Sequence, residues 1–296
     1  MLVSLIPLYL YVLLGMVAGA WLRIESQQIA RLAIYLLTPI IIGGFVAQVS
    51  FEPSILILPI TVFGVASMVA LLASLLTGLF ISIRPYRPLL SACGGMLNSG
   101  YFGISVAGSI LGEERVGIYI LAIFGLTLFE YTIGVYLINR HVSSPRDSLR
   151  QLTRLPGPYA CITGLIISAF GIKLPAFLII ALNNLKSTYV VLGMMMLGIV
   201  LSSHRASLHI PSTFAALVIR FVIWPLTAWL VLKVDAFTFS FISNSTSQSI
   251  VLLLGFLPIG ANVIAYAVDS KASPEAIAPA VAISTILSPL ILAFVY

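Results

Sequence analysis

The chain has 296 residues, of which 60% are hydrophobic and only 8% are charged, and its mean hydropathy is +1.13. Soluble domains carry about 25% charged residues, so this composition excludes a soluble protein and predicts one whose partner is the lipid bilayer. The net charge of +6 does not indicate nucleic-acid binding, because the basic residues lie in short loops and form no patch.

Ten apolar segments are long enough, at about 20 residues each, to cross a bilayer. They lie at residues 2–22, 30–49, 55–82, 88–110, 115–139, 156–172, 184–203, 210–233, 246–268 and 275–295. Short helices are predicted to lead into the second and seventh segments, at 24–30 and 174–183. The sequence therefore predicts an all-α integral membrane protein with a single transmembrane domain, residues 1–296.

The distribution of Arg and Lys predicts the orientation of these segments. The loops after odd-numbered segments hold ten Arg or Lys residues, and the loops after even-numbered segments hold three. Cytoplasmic loops are enriched in Arg and Lys, so the odd loops are predicted to face the cytoplasm and both termini the opposite side. The expected location of this multi-pass protein is the plasma membrane or a bacterial inner membrane.

The basic segment at 140–155 divides the chain into two sets of five segments. Repeat one covers about residues 1–139, residues 140–155 form a cytosolic linker, and repeat two covers about 156–296. An odd number of spans in each half gives the halves opposite orientations. Inverted repeats of this kind are typical of secondary transporters, which bind substrate near the midplane between the repeats.

Both halves carry helix-breaking residues at corresponding places. The stretch 95–100, Gly-Met-Leu-Asn-Ser-Gly, matches 255–260, Gly-Phe-Leu-Pro-Ile-Gly, at a constant separation of 160 residues. Each break lies about ten residues into its segment, or roughly 15 Å deep, near the centre of the bilayer core. Broken helices are tolerated there only where they line a buried or water-filled cavity. The sequence predicts that the two broken helices, the fourth and the ninth, converge near the midplane and form a substrate site.

The residues at the two breaks suggest what this site binds. We expect side-chain hydrogen bonds from Asn98, Ser99 and Asn262, and free backbone groups shaped by Gly100, Pro258 and Gly260. A helix that restarts at a break has free N–H groups and a partial positive charge, which favour an anion such as a carboxylate. No acidic residue accompanies either break in the sequence, which argues against a cation as the cargo.

Glu130, Arg220 and Lys186 are charged residues within predicted spans. Glu130 in the fifth segment and Arg220 in the eighth are each about ten residues from a cytoplasmic end, where an isolated charge is costly. Three interpretations of these two residues stay open. They form a structural ion pair, or Glu130 titrates in a coupling step, or Arg220 binds a substrate carboxylate. Lys186, at the outer end of the seventh segment, either steers anions inward or extends its ammonium group to the interface.

Enzyme motifs are missing from the sequence, which contains no His-Glu-x-x-His, Gly-x-Ser-x-Gly or Walker-type loop. We therefore expect a protein that is not an enzyme and has no cofactor or metal, with H⁺ or Na⁺ as alternative coupling ions. The Gly15-x-x-x-Gly19 motif predicts a close-packed helix face or, as the weaker alternative, a homodimer contact.

Several motifs resemble those of the auxin efflux carrier family, also called the membrane transport protein family. The stretch 98–104, Asn-Ser-Gly-Tyr-Phe-Gly-Ile, resembles the family signature GNSGNLGLP, and Ser284-Thr285 resembles its Ser-Thr pair in the tenth span. Pro258, Asn262 and Ala265 resemble its P…N…A run. The resemblance covers the whole chain.

This resemblance implies a bile-acid-symporter-like fold of two inverted five-helix repeats whose fourth and ninth helices cross at their breaks. It also implies small organic anions such as auxin, malate or malonate as substrates. Tyr101 stands where the signature has a smaller polar residue and is added to the predicted substrate contacts. The resulting expectation is a permease that works by alternating access. The alternatives are a sodium-coupled symporter of bile-acid-like or neutral solutes, and a membrane receptor or sensor that binds without transport.

Overall fold

The computed structural model describes residues 2–24, 26–139, 150, 153–203, 209–269 and 276–296. These parts of the chain contain twelve helices besides the short 3-10 helices Pro53–Leu56 and Arg84–Tyr86. They are α1 (Leu2–Trp21), α2 (Gln27–Val46), α3 (Ile57–Leu79), α4 (Arg87–Cys93), α5 (Tyr101–Leu111), α6 (Glu113–Ile138), α7 (Pro156–Ala169), α8 (Ala176–Ser203), α9 (Ile210–Thr238), α10 (Ser245–Leu254), α11 (Asn262–Asp269) and α12 (Ala278–Val295). Most of the predicted linker, 140–155, lies outside the described residues.

Six of these helices, α2, α3, α6, α8, α9 and α12, are long and apolar enough to cross a membrane. Together with the composition, they make the chain a helical integral membrane protein. The count of ten spans and their orientation remain predictions. The short helices predicted to lead into the second and seventh segments are present as the first turns of α2 and α8. These helices begin at Gln27 and Ala176 and continue into the spans, because no Gly or Pro interrupts them there.

Three long helices contain a π turn, a wider turn that is frequent at functional sites. The π turns are Ala33–Leu37 in α2, Glu130–Gly134 in α6 and Ile219–Ile223 in α9. Two of the π turns are followed closely by a proline, Pro39 or Pro225. Because proline has no N–H, the carbonyl group four positions earlier has no helical hydrogen-bond donor. The π turn of α6 is not followed by a proline, yet it carries Glu130.

Glycines bring α1 close to α8. A Cβ atom on Gly15 would lie 2.0 Å from the Met195 carbonyl oxygen, and one on Gly19 would lie 2.3 Å from Ser202 Oγ. The predicted close-packed face at Gly15-x-x-x-Gly19 is therefore confirmed. Since α8 covers this face within the chain, the motif gives no support to the predicted homodimer.

The helices form two groups around the breaks. In the first group, α1 packs along α8, and α7 packs along α2. In the second, α3 packs against α4 and α6, and α9 packs against α3, α10 and α12. The breaks between α4 and α5 and between α10 and α11 belong to the second group, and α8 approaches them from the first.

Candidate functional site

The two breaks cross and pair with each other. Leu97 and Ile259 form an antiparallel β-bridge. The Asn98 N–H donates to the Pro258 carbonyl at 3.0 Å, and the Gly260 N–H donates to the Met96 carbonyl at 2.9 Å. The pairing cannot continue through Pro258, which has no N–H to return a bond to Asn98. Each break thus supplies partners for backbone groups of the other that hydrocarbon would leave unsatisfied.

Two buried serines of α12 hold the second break. Ser284 Oγ accepts a hydrogen bond from the Ile259 N–H at 3.1 Å, and Ser288 Oγ donates one to the Phe256 carbonyl at 2.6 Å. The Ser284-Thr285 pair singled out in the sequence therefore contributes Ser284 to the crossover. Ser284 therefore serves as the hydrogen-bond acceptor for the Ile259 N–H at the break.

Arg220 contacts the same break from the other side. Its side chain is fully buried and donates to the carbonyl oxygens of Leu254 and Leu257, and its guanidinium lies 5.2 Å from the Trp224 ring. Leu254 ends α10, where carbonyl groups lack helical partners and a positive charge is favourable. Arg220 therefore stabilises the end of the broken helix.

Asn98 shapes the start of α5. It is 4% exposed, its Oδ1 accepts a hydrogen bond from the Phe102 N–H at 3.1 Å, and its Nδ2 lies 3.9 Å from Met194 Sδ. The carbonyl of neighbouring Ser99 accepts a hydrogen bond from the Tyr119 hydroxyl at 2.8 Å. Much of the first break is therefore fixed by the protein itself, with Asn98 satisfying an otherwise free N–H of the restarted helix.

The two predicted glycines lie where neighbours approach closely. A Cβ atom on Gly100 would be 2.7 Å from the Tyr189 hydroxyl, and one on Gly260 would be 3.1 Å from the Leu97 carbonyl oxygen. Glycine at these positions leaves the space that the crossing backbones and the Tyr189 side chain need.

A cavity lies against the crossover, between the first helix group and α6. Six of the seven predicted substrate residues line it, namely Asn98, Ser99, Gly100, Tyr101, Gly260 and Asn262. The seventh, Pro258, is absent from the lining and contributes its carbonyl to the bridge. Tyr101 and Asn262 begin α5 and α11, so two helix N-termini meet this cavity. That these residues bind substrate stays a prediction.

Tyr101 fills space between α5 and α8. Its ring centroid is 4.6 Å from that of Tyr189, and a Cβ atom on Gly193 would lie only 1.9 Å from the Tyr101 ring. The larger residue at position 101 is therefore accommodated by a glycine on the facing helix. Tyr189, Gly193 and Thr38 also line the cavity, although sequence reasoning had not selected them.

An acidic side chain reaches the second break from α6. Glu130 is half-buried on the cavity wall, where its Oε1 accepts hydrogen bonds from Asn262 Nδ2 at 2.9 Å and from the Tyr266 hydroxyl at 3.4 Å. The expectation that no acid accompanies the breaks is therefore wrong. The predicted ion pair with Arg220 is also not formed among the described residues, because Arg220 donates to the Leu254 and Leu257 carbonyl oxygens of the same break. None of the described residues that line the cavity is Lys, Arg or His.

Lys186 lies at a junction of three helices. Its ammonium group forms a salt bridge with Glu113 at the start of α6 and lies 5.4 Å from the Phe45 ring on α2. The Lys186 side chain is only 12% exposed. It is therefore a paired residue that connects α8, α6 and α2, which replaces both sequence-based interpretations of it.

Comparison with known proteins gives one informative similarity. No family model matches the chain. A protein of Methanocaldococcus jannaschii, described as an uncharacterized transporter, is 28% identical over 182 residues. The matched part is 58% of this chain and 58% of that protein, so the chain spans little more than half the length of this relative. The auxin efflux carrier family remains a resemblance of short motifs.

Proposed function

We propose that this chain is a secondary-active transporter that moves a small organic anion across the membrane by alternating access. The observation that carries the proposal is the crossing of two interrupted helices at a cavity lined by the first residues of both restarted helices. Broken helices at corresponding places in two halves are the best sequence indicator of a transporter binding site. The similarity to a protein described as a transporter is consistent with this function.

The pairing at the crossover supports two inverted repeats. Asn98 and Pro258, which share a main-chain hydrogen bond, are also counterparts at the 160-residue separation of the two halves. A pseudo-two-fold axis would have to pass close to such a pair. The contact of α1 with α8 likewise has its counterpart in the contact of α7 with α2.

The cavity chemistry favours a small anion. The N-termini of α5 and α11 contribute partial positive charge, and Ser99 and Asn262 add neutral polar groups on the same wall. An anion bound there would interact with helix ends and neutral donors. Glu130 on the same wall affects this balance and is treated below.

Alternating access requires the two helix groups to move relative to each other. The cavity reaches Leu155 and Pro158 at the start of α7, which is predicted to be cytoplasmic. Lys186 and Glu113, which join the groups, lie on the predicted opposite side. This arrangement corresponds to a state that is open towards the cytoplasm, and we expect the salt bridge to separate in the opposite state.

The test is uptake of radiolabelled malate and malonate into sealed proteoliposomes. Asn98→Ser retains a side-chain acceptor for the start of α5 and removes the amide donor, and Ser99→Ala removes a hydroxyl from the wall. Losing one hydrogen bond to a charged ligand costs about 1.5–3 kcal/mol, so we expect roughly 10- to 100-fold weaker apparent affinity in each variant. Asn183→Ala on the exposed face of α8 is the matched control and should transport normally.

The outcomes separate the rival functions. Binding without net flux in well-sealed vesicles would identify a receptor, and an absolute requirement for sodium would favour the sodium-coupled symporter. Unchanged affinity in both Asn98→Ser and Ser99→Ala would place the binding site elsewhere.

A further inference from the structure

We propose that Glu130 carries a proton that moves together with the anion, so that the protonated carboxyl and the anion occupy the cavity at the same time. This inference rests on the proposed transport of an anion and identifies the coupling ion of the same site. It goes beyond the location of the cavity, because it assigns a particular side chain to the proton.

The position of Glu130 connects it directly to the crossover. The π turn Glu130–Gly134 interrupts the regular winding of α6 at this residue, and the carboxyl lies on the cavity wall. Its Oε1 accepts hydrogen bonds from Asn262 and Tyr266, both on α11. A change in the charge of Glu130 therefore alters its hydrogen bonds with α11, the helix that restarts at the second break.

The titratable groups around Glu130 are phenols. Tyr266 faces it from α11, Tyr131 is its neighbour on α6, Tyr101 lies on α5 and Tyr189 on α8. Phenols are uncharged at neutral pH. Tyr266 donates a hydrogen bond to the carboxyl, and these phenols supply no positive charge to balance it.

The charged residues of the other neighbouring elements are engaged elsewhere. The helix α4 also packs against the π turn, and its Arg87 Nε donates to Ser74 Oγ on α3 at 2.9 Å. Cys93, at the end of α4, is buried. Arg220 donates to backbone carbonyls at the end of α10, as described above. Glu130 therefore has no cationic side chain among its described hydrogen-bonding and ion-pair partners.

This environment links proton binding to anion binding. An ionised Glu130 would place a negative charge next to the anion in a cavity whose described lining residues include no Lys, Arg or His. Like charges in a medium of low dielectric constant repel strongly. A protonated Glu130 removes that repulsion and keeps the carboxyl able to bond with Asn262. The proton enters from water on the side where the anion binds, stays on the Glu130 carboxyl during the conformational change, and returns to water on the other side. A sodium ion is the other outcome that the test can reveal.

The experiment measures accumulation of radiolabelled malonate in proteoliposomes at zero membrane potential. With a pH gradient of one unit, alkaline inside, coupling to one proton allows at most about 10-fold accumulation in the wild type. We expect Glu130→Gln to lose accumulation driven by the gradient but to retain exchange of labelled for unlabelled malonate. Glu114→Gln, which alters an exposed acid at the start of α6, is the matched control and should accumulate malonate normally.

A second variant guards against misfolding. Glu130→Asp keeps a carboxyl group and should retain accumulation driven by the gradient, which Glu130→Gln lacks. The inference is overturned if Glu130→Gln accumulates malonate like the wild type, or if a sodium gradient and not a pH gradient drives the wild type. In either case exchange would still be observed and the transport proposal would stand. If neither malonate nor malate moves in any mode, both proposals are overturned.

Discussion

A single methyl group at Gly198 is expected to destabilise the contact between α1 and α8. A Cβ atom there would lie 2.0 Å from the Val12 carbonyl oxygen and 2.7 Å from the Met16 backbone nitrogen. Both atoms belong to the backbone of α1, so no rotamer change can relieve the overlap and the two helices must separate. Gly198 follows Leu197, which lines the cavity, so the separation would also disturb the wall of the site.

The expected change in the free energy of unfolding is the sum of two opposing terms. Overpacking of this kind costs about 1–3 kcal/mol, whereas replacing glycine by alanine within a helix gains about 1 kcal/mol. Because the overlap at Gly198 is severe, its overpacking cost lies at the upper end of the range. Subtracting the gain in helix propensity leaves a net loss of stability of about 1–2 kcal/mol. At about 2–4 °C per kcal/mol, the unfolding midpoint of Gly198→Ala should fall by several degrees.

The assay uses the two cysteines of the chain. Cys93 and Cys161 are both buried and free, so a thiol-reactive dye should label them only as the protein unfolds. Gly64→Ala on α3 is the control, since a Cβ atom there has no neighbour within 4 Å. Its unfolding midpoint should equal or exceed that of the wild type. If Gly198→Ala unfolds at the same temperature as Gly64→Ala or above it, the close approach of α1 and α8 does not limit stability and the reasoning is refuted.

Three further predictions concern the contacts around the crossover. Arg220→Lys should lower the stability by about 1–3 kcal/mol, because an ammonium group cannot bridge two carbonyls as the guanidinium does. The unfolding midpoint in the same thiol assay should fall, and an unchanged midpoint would contradict this. Ser288→Ala should cost about 1–3 kcal/mol by leaving the partly buried Phe256 carbonyl without its hydrogen-bond donor, and Ser288→Thr, which keeps the hydroxyl, should be milder in the same measurement. In a double-mutant cycle of Lys186→Gln and Glu113→Gln, the coupling energy should be at most about 1 kcal/mol, since the Glu113 side chain is 70% exposed, and a much larger coupling would show that the salt bridge is effectively buried.

The position of the two breaks could be predicted from sequence because it depends on spacing and depth along the chain, and the family resemblance implied that they cross. The constant separation of Gly95–Gly100 and Gly255–Gly260 located both breaks, and the bridge between Leu97 and Ile259 agrees with the predicted crossing. The partners of the charged residues could not be predicted in this way. They depend on how far each helix is rotated about its axis, which hydrophobicity alone leaves open in a helix that is apolar all round.

The contact of Glu130 with the second break was not predicted, although the sequence carries a signal for it. The sequence placed Glu130 near mid-depth, and both breaks were predicted at a similar depth. Glu130 and the two breaks are therefore at one depth, where each has only a limited number of neighbours. Depth alone could have indicated that this acid lies near the crossover. The π turns at Pro39 and Pro225 could likewise be inferred from the missing N–H of each proline, whereas the turn at Glu130 has no such marker.

The bridge between the breaks also bears on how the protein is made. Its two sides are separated by more than half of the chain, so during synthesis the first break enters the membrane long before the second exists. Until then the Met96 carbonyl and the Asn98 N–H have no partner from the second break, and they need water or the insertion machinery to satisfy them. A nascent chain that stops before residue 255 therefore contains α4 and α5 but cannot close the crossover. The crossover therefore forms by the joining of two interrupted helices that are synthesised at different times.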